Sequence, residues 1–131
     1  MSTRSNITFH TSRPDPAHVA ANADAILYRH RDGYPDGPYG VLADLLPFLA
    51  DFASRRGLGD SEYAAARCLQ HLTNRYDDHD GVPGILGYGI STQLAGDAKY
   101  VYAVYPDAVD VYETATTATG LRLITTVEVP S

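Results

Sequence analysis

The stretch LRLITTVEV, residues 121–129, alternates with a period of two over its whole length. One set of alternate positions is apolar or β-branched and consists of Leu121, Leu123, Thr125, Val127 and Val129. The other set is mostly polar and consists of Arg122, Ile124, Thr126 and Glu128. Such alternation predicts a strand that buries one face and leaves the other in water, which is typical of an antiparallel sheet.

Five other segments predict strands, through the same alternation or through their β-branched and aromatic content. They are SNITFHTS (5–12), AILYRH (25–30), ILGYGIS (85–91), KYVYAVYP (99–106) and VDVYET (109–114). The short connections PDA (106–108) and TTATG (116–120) suit hairpins between the strands that they join.

Two segments between the second and third strands predict helices, YGVLADLLPFLADFASRRG (39–57) and DSEYAAARCLQHLTNRY (60–76). In the first helix, Asp44 and Asp51 are expected opposite the apolar stripe, and Pro47 is expected to kink the helix or to begin a shorter one. The sequence therefore predicts a single α+β domain over residues 1–131. Its antiparallel sheet of about five to six strands carries two helices packed on one face, in the order ββααββββ.

The charge balance disfavours nucleic acid as a direct ligand. The chain has 16 acidic and 10 basic residues, a formal net charge of −6, whereas phosphate-backbone binding depends on clustered Lys and Arg. The single cysteine, Cys68, excludes an internal disulfide and fits a reducing cytoplasm. Neither a membrane helix of ~20 apolar residues nor a signal peptide is recognisable. We therefore expect a cytoplasmic protein that does not bind membranes.

No metal or cofactor is expected either. The acidic segment DDHDG (77–81) reads as a turn and lacks the ligand spacing of a calcium loop. No glycine motif that cradles phosphate is present, because GILGYG (84–89) lacks the Lys and Ser/Thr that should follow.

The stretch YRHRDGYPDG, residues 28–37, is a dense set of ionisable, aromatic and turn residues that directly follows a predicted strand. One interpretation is structural: Asp32 caps a turn at Gly33 and Tyr34 packs. The other is functional: His30 and Asp32 beside Tyr34 could transfer protons or bind an anion. In that interpretation Arg29, Arg31, Ser2, Thr3 and Arg4 would bind the ligand.

Ten tyrosines are an unusual number for a chain of this length. Tyr100 and Tyr102 share one face of a predicted strand. Tyrosine suits packing between strands, and it also recurs at protein interfaces, so the pair predicts either a packed sheet or an aromatic surface for a partner or a homodimer.

Two segments resemble a group of small bacterial and phage proteins. MSTRSNI (1–7) matches their opening S-T-R-[SA]-N-I, and YRHRDGYPDG matches their signature [IL]-Y-x-H-W-D-G-Y-P-x-G, with Arg31 in place of the tryptophan. The resemblance implies a cytoplasmic protein encoded by phages or mobile elements. Small acidic proteins of such elements include inhibitors of host defence, among them anti-CRISPR proteins.

The leading hypothesis is a non-enzymatic, acidic protein-binding module that inhibits a host-defence complex, because no complete catalytic constellation is present. In one version it mimics DNA through the acidic helix residues Asp44, Asp51, Asp60 and Glu62, while Tyr100 and Tyr102 contribute an aromatic surface. The alternative is a small-ligand-binding protein or an enzyme that acts on an anionic, phosphate-containing substrate through His30, Asp32 and Tyr34.

Overall fold

The computed structural model describes residues 3–13, 15, 18–57, 59–80, 87–114 and 120–129; for residues 75–80 it describes the backbone only. The described chain forms six strands and three helices. In chain order they are β1 (Ser5–Phe9), α1 (Val19–Asn22), β2 (Ala25–Arg29), α2 (Val41–Arg55), α3 (Ser61–Asp80), β3 (Tyr88–Ser91), β4 (Tyr100–Val104), β5 (Ala108–Thr114) and β6 (Leu121–Glu128).

The six strands form one sheet in the order β3-β2-β1-β4-β5-β6, which confirms the predicted α+β class. Four of the neighbouring pairs are antiparallel, but β1 and β4 are parallel, with Ser5 beside Tyr100 and Phe9 beside Val104. The sheet is therefore mostly antiparallel, as predicted, with one parallel pair at its centre. The chain returns from β3 at one edge and places β4 beside β1, where both faces of β1 are buried.

Helices α2 and α3 pack against one face of the sheet, as predicted. They form the helix-side core, in which Leu45, Leu49 and Leu72 contact the strand residues Ile7 and Leu27. Helix α2 continues through Pro47, whose side chain is exposed, so the expected division into a shorter helix does not occur. Helix α3 extends to Asp80, so most of the predicted turn at 77–81 is helical.

The opposite face of the sheet has a smaller apolar cluster, and a β-bulge in β6 determines which residues join it. Val111 pairs with Thr125 and Tyr112 pairs with Leu123, so Ile124 is an extra residue without a partner in the ladder. The extra residue reverses the alternation. The predicted single face of β6 is therefore wrong: Val129 joins the helix-side core, whereas Leu121 joins the second cluster. That cluster consists of Val19, Val101, Ala103, Tyr105, Tyr112 and Leu121.

His10 is buried beside the second cluster, with 1% of its surface exposed. Its Nδ1 lies 2.8 Å from Asn22 Oδ1, and its Nε2 lies 2.7 Å from Thr8 Oγ1. Because the Asn22 oxygen can only accept, Nδ1 carries the proton and Nε2 accepts from the Thr8 hydroxyl. Burial lowers the pKa of His10 below its ordinary value of 6.5, although the bond to Asn22 and the carboxylates of Asp24 and Asp110 oppose this shift.

We therefore expect His10 to make the fold less stable in mild acid. Since the pKa is lower in the folded state, the unfolded chain binds more protons below pH 6.5, and the free energy of unfolding falls as the pH drops through that value. Urea unfolding of the wild type and of His10→Gln between pH 7.5 and pH 5.5 measures the contribution. The acid-side loss should shrink in the variant, and an identical pH dependence would contradict this assignment.

Candidate functional site

The signature loop, residues 28–37, is anchored to the protein by a buried arginine. Arg29 is 0% exposed, and its Nη1 donates to Asp44 Oδ2 at 2.9 Å and to the Tyr88 hydroxyl at 2.9 Å. Its Nη2 donates to the carbonyl of Tyr39 at 2.8 Å, and its Nε donates to the carbonyl of Arg31 at 2.9 Å. Arg29 is therefore a structural residue and not a ligand-binding one.

The same ion pair corrects the prediction for Asp44. This residue is 1% exposed and lies on the apolar side of α2, between Val41 and Phe48, so it cannot contribute to an acidic docking surface. The other three acidic candidates are exposed. Asp51 pairs with Arg55 one turn later at 3.0 Å, and Asp60 accepts from the backbone N–H of Tyr63 at 3.2 Å near the start of α3. Glu62 follows in the first turn of α3.

The loop passes over the sheet at Gly33. The N–H of Gly33 donates to the carbonyl of Thr3 at 2.8 Å, and the carbonyl of Gly33 accepts from the Tyr102 hydroxyl at 2.6 Å. A Cβ atom at this position would lie 2.7 Å from the Thr3 oxygen, so only glycine fits here. Tyr102 is 0% exposed, which corrects its predicted role in a partner surface. Ser2 lies outside the described residues.

His30 has different neighbours from those predicted. Its Nδ1 accepts from Arg4 Nε at 3.5 Å and lies 3.0 Å from the Tyr28 hydroxyl. Within the described part of the chain, His30 forms no hydrogen bond with Asp32 or Tyr34. The structure therefore brings together His30 and Arg4, but it does not assemble the predicted group of His30, Asp32 and Tyr34.

Asp32 and Tyr34 form a pair of their own. Tyr34 donates its hydroxyl to Asp32 Oδ1 at 3.2 Å, and Asp32 has a φ of 53°, in the left-handed region that aspartate tolerates in turns. Desolvation, and beyond it the Asp32 carboxylate, raises the pKa of Tyr34 above its ordinary value. Tyr34 is therefore a hydrogen-bond donor and not a base at neutral pH, and the pair shapes the turn.

The outer side of the signature loop borders a groove with a volume of about 420 Å³. We call it the loop–edge groove, because residues of the loop and of the edge strand β6 line it together. Its lining residues are Pro35, Asp36, Tyr100, Glu113, Arg122, Leu123 and Ile124. Tyr100 is half-buried there, so of the two tyrosines predicted for a partner surface, only Tyr100 is accessible.

Most of this groove was not predicted from the sequence, although β6 contains one residue that points to it. Ile124 is the single apolar residue in the polar set of the strand, and it is 46% exposed. Its neighbour Leu123 is 50% exposed, and the side chain of Arg122 pairs with Glu113 across the two strands.

Comparison of the chain with protein-family models, with curated proteins and with solved structures gave no match. In the described part of the chain, none of the helices combines the length and apolarity that crossing a membrane requires. Within the same residues, no three His, Cys, Asp or Glu side chains form a group that could hold a metal ion. The candidate site therefore rests on its own geometry.

Proposed function

We propose that this chain is a protein-binding module and that the loop–edge groove is its docking surface. The observation that carries the proposal is the exposure of Ile124, at 46%, on an edge strand, where it lines the groove together with the accessible Tyr100. An exposed apolar side chain beside an aromatic residue in a concave surface is typical of a binding site.

The composition of the groove favours a protein partner over a small molecule. The groove is lined by apolar residues, Pro35, Tyr100, Leu123 and Ile124, and by charged ones, Asp36 and the Glu113–Arg122 pair. A lining that combines aromatic and aliphatic residues with charged ones is also found at protein interfaces. Because the chain has a net charge of −6 and Asp36 is exposed, the proposed partner presents a basic side chain next to the apolar one that enters the groove.

The bulge in β6 indicates that the partner contacts the groove through side chains and does not add a strand to the sheet. A regular edge strand exposes a row of N–H and C=O groups that a partner strand can pair with. In β6 the extra residue Ile124 interrupts that row near the middle of the strand, which hinders continuous pairing with another strand or with a second copy of the chain. It also places Ile124 at the groove.

The biological role predicted from the resemblance stays a prediction. In that version the partner is a component of a host-defence complex, and the protein is a cytoplasmic inhibitor of the anti-CRISPR kind. The DNA-mimic form of it would depend on Asp51, Asp60 and Glu62, because Asp44 is buried.

The test compares a groove variant with a variant at the opposite edge of the sheet. Ile124→Asp is expected to weaken binding of the partner at least ~30-fold, since loss of a central interface residue costs about 2 kcal/mol or more. Ile90→Asp is the matched control, because Ile90 is 77% exposed on β3, at the far edge. The partner is first identified as a protein that both the wild type and Ile90→Asp retain from a host lysate. It is then purified, and its affinity for the wild type and for each variant is measured by calorimetry.

Both isoleucines are exposed, so thermal unfolding should change little in either variant. Equal affinities of the wild type and Ile124→Asp for the purified partner would contradict the proposal. So would the failure of the wild type to retain any protein above the background of an unrelated bait.

A further inference from the structure

Three basic residues adjoin the ends of three neighbouring strands, one position outside β2, β1 and β4. In β1 and β2, Ser5 pairs with Arg29, so the preceding Arg4 lies opposite His30. In β1 and β4, Ser5 pairs with Tyr100, and the N–H of Lys99 donates to the carbonyl of Arg4 at 2.8 Å. We call His30, Arg4 and Lys99 the basic row.

The alternation of the strands predicts that the basic row lies on the sheet face opposite α2 and α3. Leu27, Ile7 and Tyr102 belong to the helix-side core. Arg29, Ser5 and Tyr100 each lie two positions from one of them in the same strand, so they face the same side of the sheet. The residues one position further along the chain or one before therefore point to the opposite face. The bond from Arg4 Nε to His30 Nδ1 shows that these two side chains lie on the same side of the sheet.

The charges of the basic row are unusual in an acidic protein. Lys99 is the single lysine of the chain, its side chain is exposed, and it forms no ion pair with the described residues. Arg4 pairs with Asp97, and the side chains of the two residues are 37% and 58% exposed. An exposed ion pair of this kind contributes only about 0–1 kcal/mol, so an anion with more charge can replace Asp97 at low cost.

His30, the third member of the basic row, supplies a hydrogen-bond donor. Arg4 Nε can only donate, so His30 Nδ1 is an acceptor and the neutral imidazole carries its proton on Nε2. Within the described residues, Nε2 has no hydrogen-bond partner and is not buried, so it faces solvent. An imidazole N–H, a guanidinium and an ammonium are the groups that recognise phosphate oxygens.

We propose that the basic row binds a small anion that carries two adjacent phosphates. Neighbouring strands lie ~4.8 Å apart, so the row spans roughly 10 Å, which is a length that suits a diphosphate better than a single phosphate. The site lies across the sheet from the loop–edge groove and does not depend on the proposed protein-binding function.

Calorimetric titration with inorganic pyrophosphate at constant ionic strength tests the site. We expect Lys99→Gln to weaken binding at least fivefold, and His30→Gln to weaken it in the same direction. Asp97→Asn should tighten binding, because it removes the carboxylate that competes for Arg4. Arg55→Gln is the matched control: Arg55 forms a similarly exposed pair with Asp51 on α2, and its replacement should leave the affinity unchanged.

Absence of binding to the wild type at millimolar pyrophosphate would overturn the proposal. An equal loss in Lys99→Gln and Arg55→Gln would also overturn it, since that result indicates attraction by net charge alone. Orthophosphate is the second probe, and affinity equal to that for pyrophosphate would exclude the diphosphate. None of the four variants touches the loop–edge groove, so this result is independent of the partner-binding experiment.

Discussion

Replacement of Arg29 by methionine is expected to lower the free energy of unfolding by about 3–5 kcal/mol, the usual cost of removing one partner of a buried ion pair. Methionine fills part of the space but removes the guanidinium from Asp44, a carboxylate that is 1% exposed. Domains of this size have free energies of unfolding of about 5–15 kcal/mol, so this single change removes a large fraction of the stability.

The position of Arg29 between several segments explains why the effect should be large. Its guanidinium joins the end of β2 to α2 through Asp44 and to β3 through Tyr88. It also holds the signature loop and the segment before α2 through the carbonyls of Arg31 and Tyr39. Lysine keeps the charge but not the forked donor geometry, so Arg29→Lys should be destabilised as well, though less than Arg29→Met.

Urea unfolding measures the loss, and two variants control for it. In Arg29→Met combined with Asp44→Leu, no uncompensated charge is buried, so much of the stability should return. Arg55→Met is the surface control. Its side chain is 75% exposed in a pair with Asp51, and its loss should cost no more than about 0.5 kcal/mol. Equal losses in Arg29→Met and Arg55→Met would refute the structural role of Arg29.

Local sequence patterns predicted most of the secondary structure. Six strands and two long helices were predictable because alternation and helical spacing depend on residues close together in the sequence. The patterns also indicate the position of Arg29. Arg29 lies two positions after Leu27 in β2 and therefore on the same face, and Asp44 lies on the stripe of Val41 and Phe48 in α2. Two opposite charges on two apolar faces indicate a buried pair.

The rest depends on contacts between distant segments, which a local pattern does not contain. Nothing in the sequence of β4 shows that it runs parallel to β1, because that arrangement follows from where the chain returns after α3 and β3. The bulge in β6 also depends on a contact between distant segments. The alternation of residues 121–129 is unbroken in the sequence, and only pairing with β5 shows that Ile124 is extra. The groove and the basic row depend on these two features, so neither was predictable as a site.

Replacement of Gly40 by alanine is the second large effect that we expect. A Cβ atom at Gly40 would clash with the carbonyl oxygen of Asp36 and would lie 2.7 Å from that of Pro35. Both neighbours are backbone atoms, so the turn before α2 has to move. Such overpacking typically costs about 1–3 kcal/mol, and we expect the upper end of that range.

The moved segment also caps α2 and lines the loop–edge groove. The N–H groups of Val41 and Leu42 donate to the carbonyls of Tyr34 and Pro35, which satisfies part of the first turn of the helix. Pro35 and Asp36 border the groove, so Gly40→Ala should weaken binding of the protein partner in addition to lowering the melting temperature.

Gly96→Ala is the matched control, because a Cβ atom at Gly96 has no neighbour within 4 Å and its φ is outside the left-handed region. There the substitution should be neutral, or stabilising by about 0.4–1 kcal/mol through the smaller entropy of the unfolded chain. A melting temperature of Gly40→Ala equal to that of Gly96→Ala would show that the turn before α2 yields without cost. In that case the cap and the groove would be far less rigid than the contacts at Gly40 require.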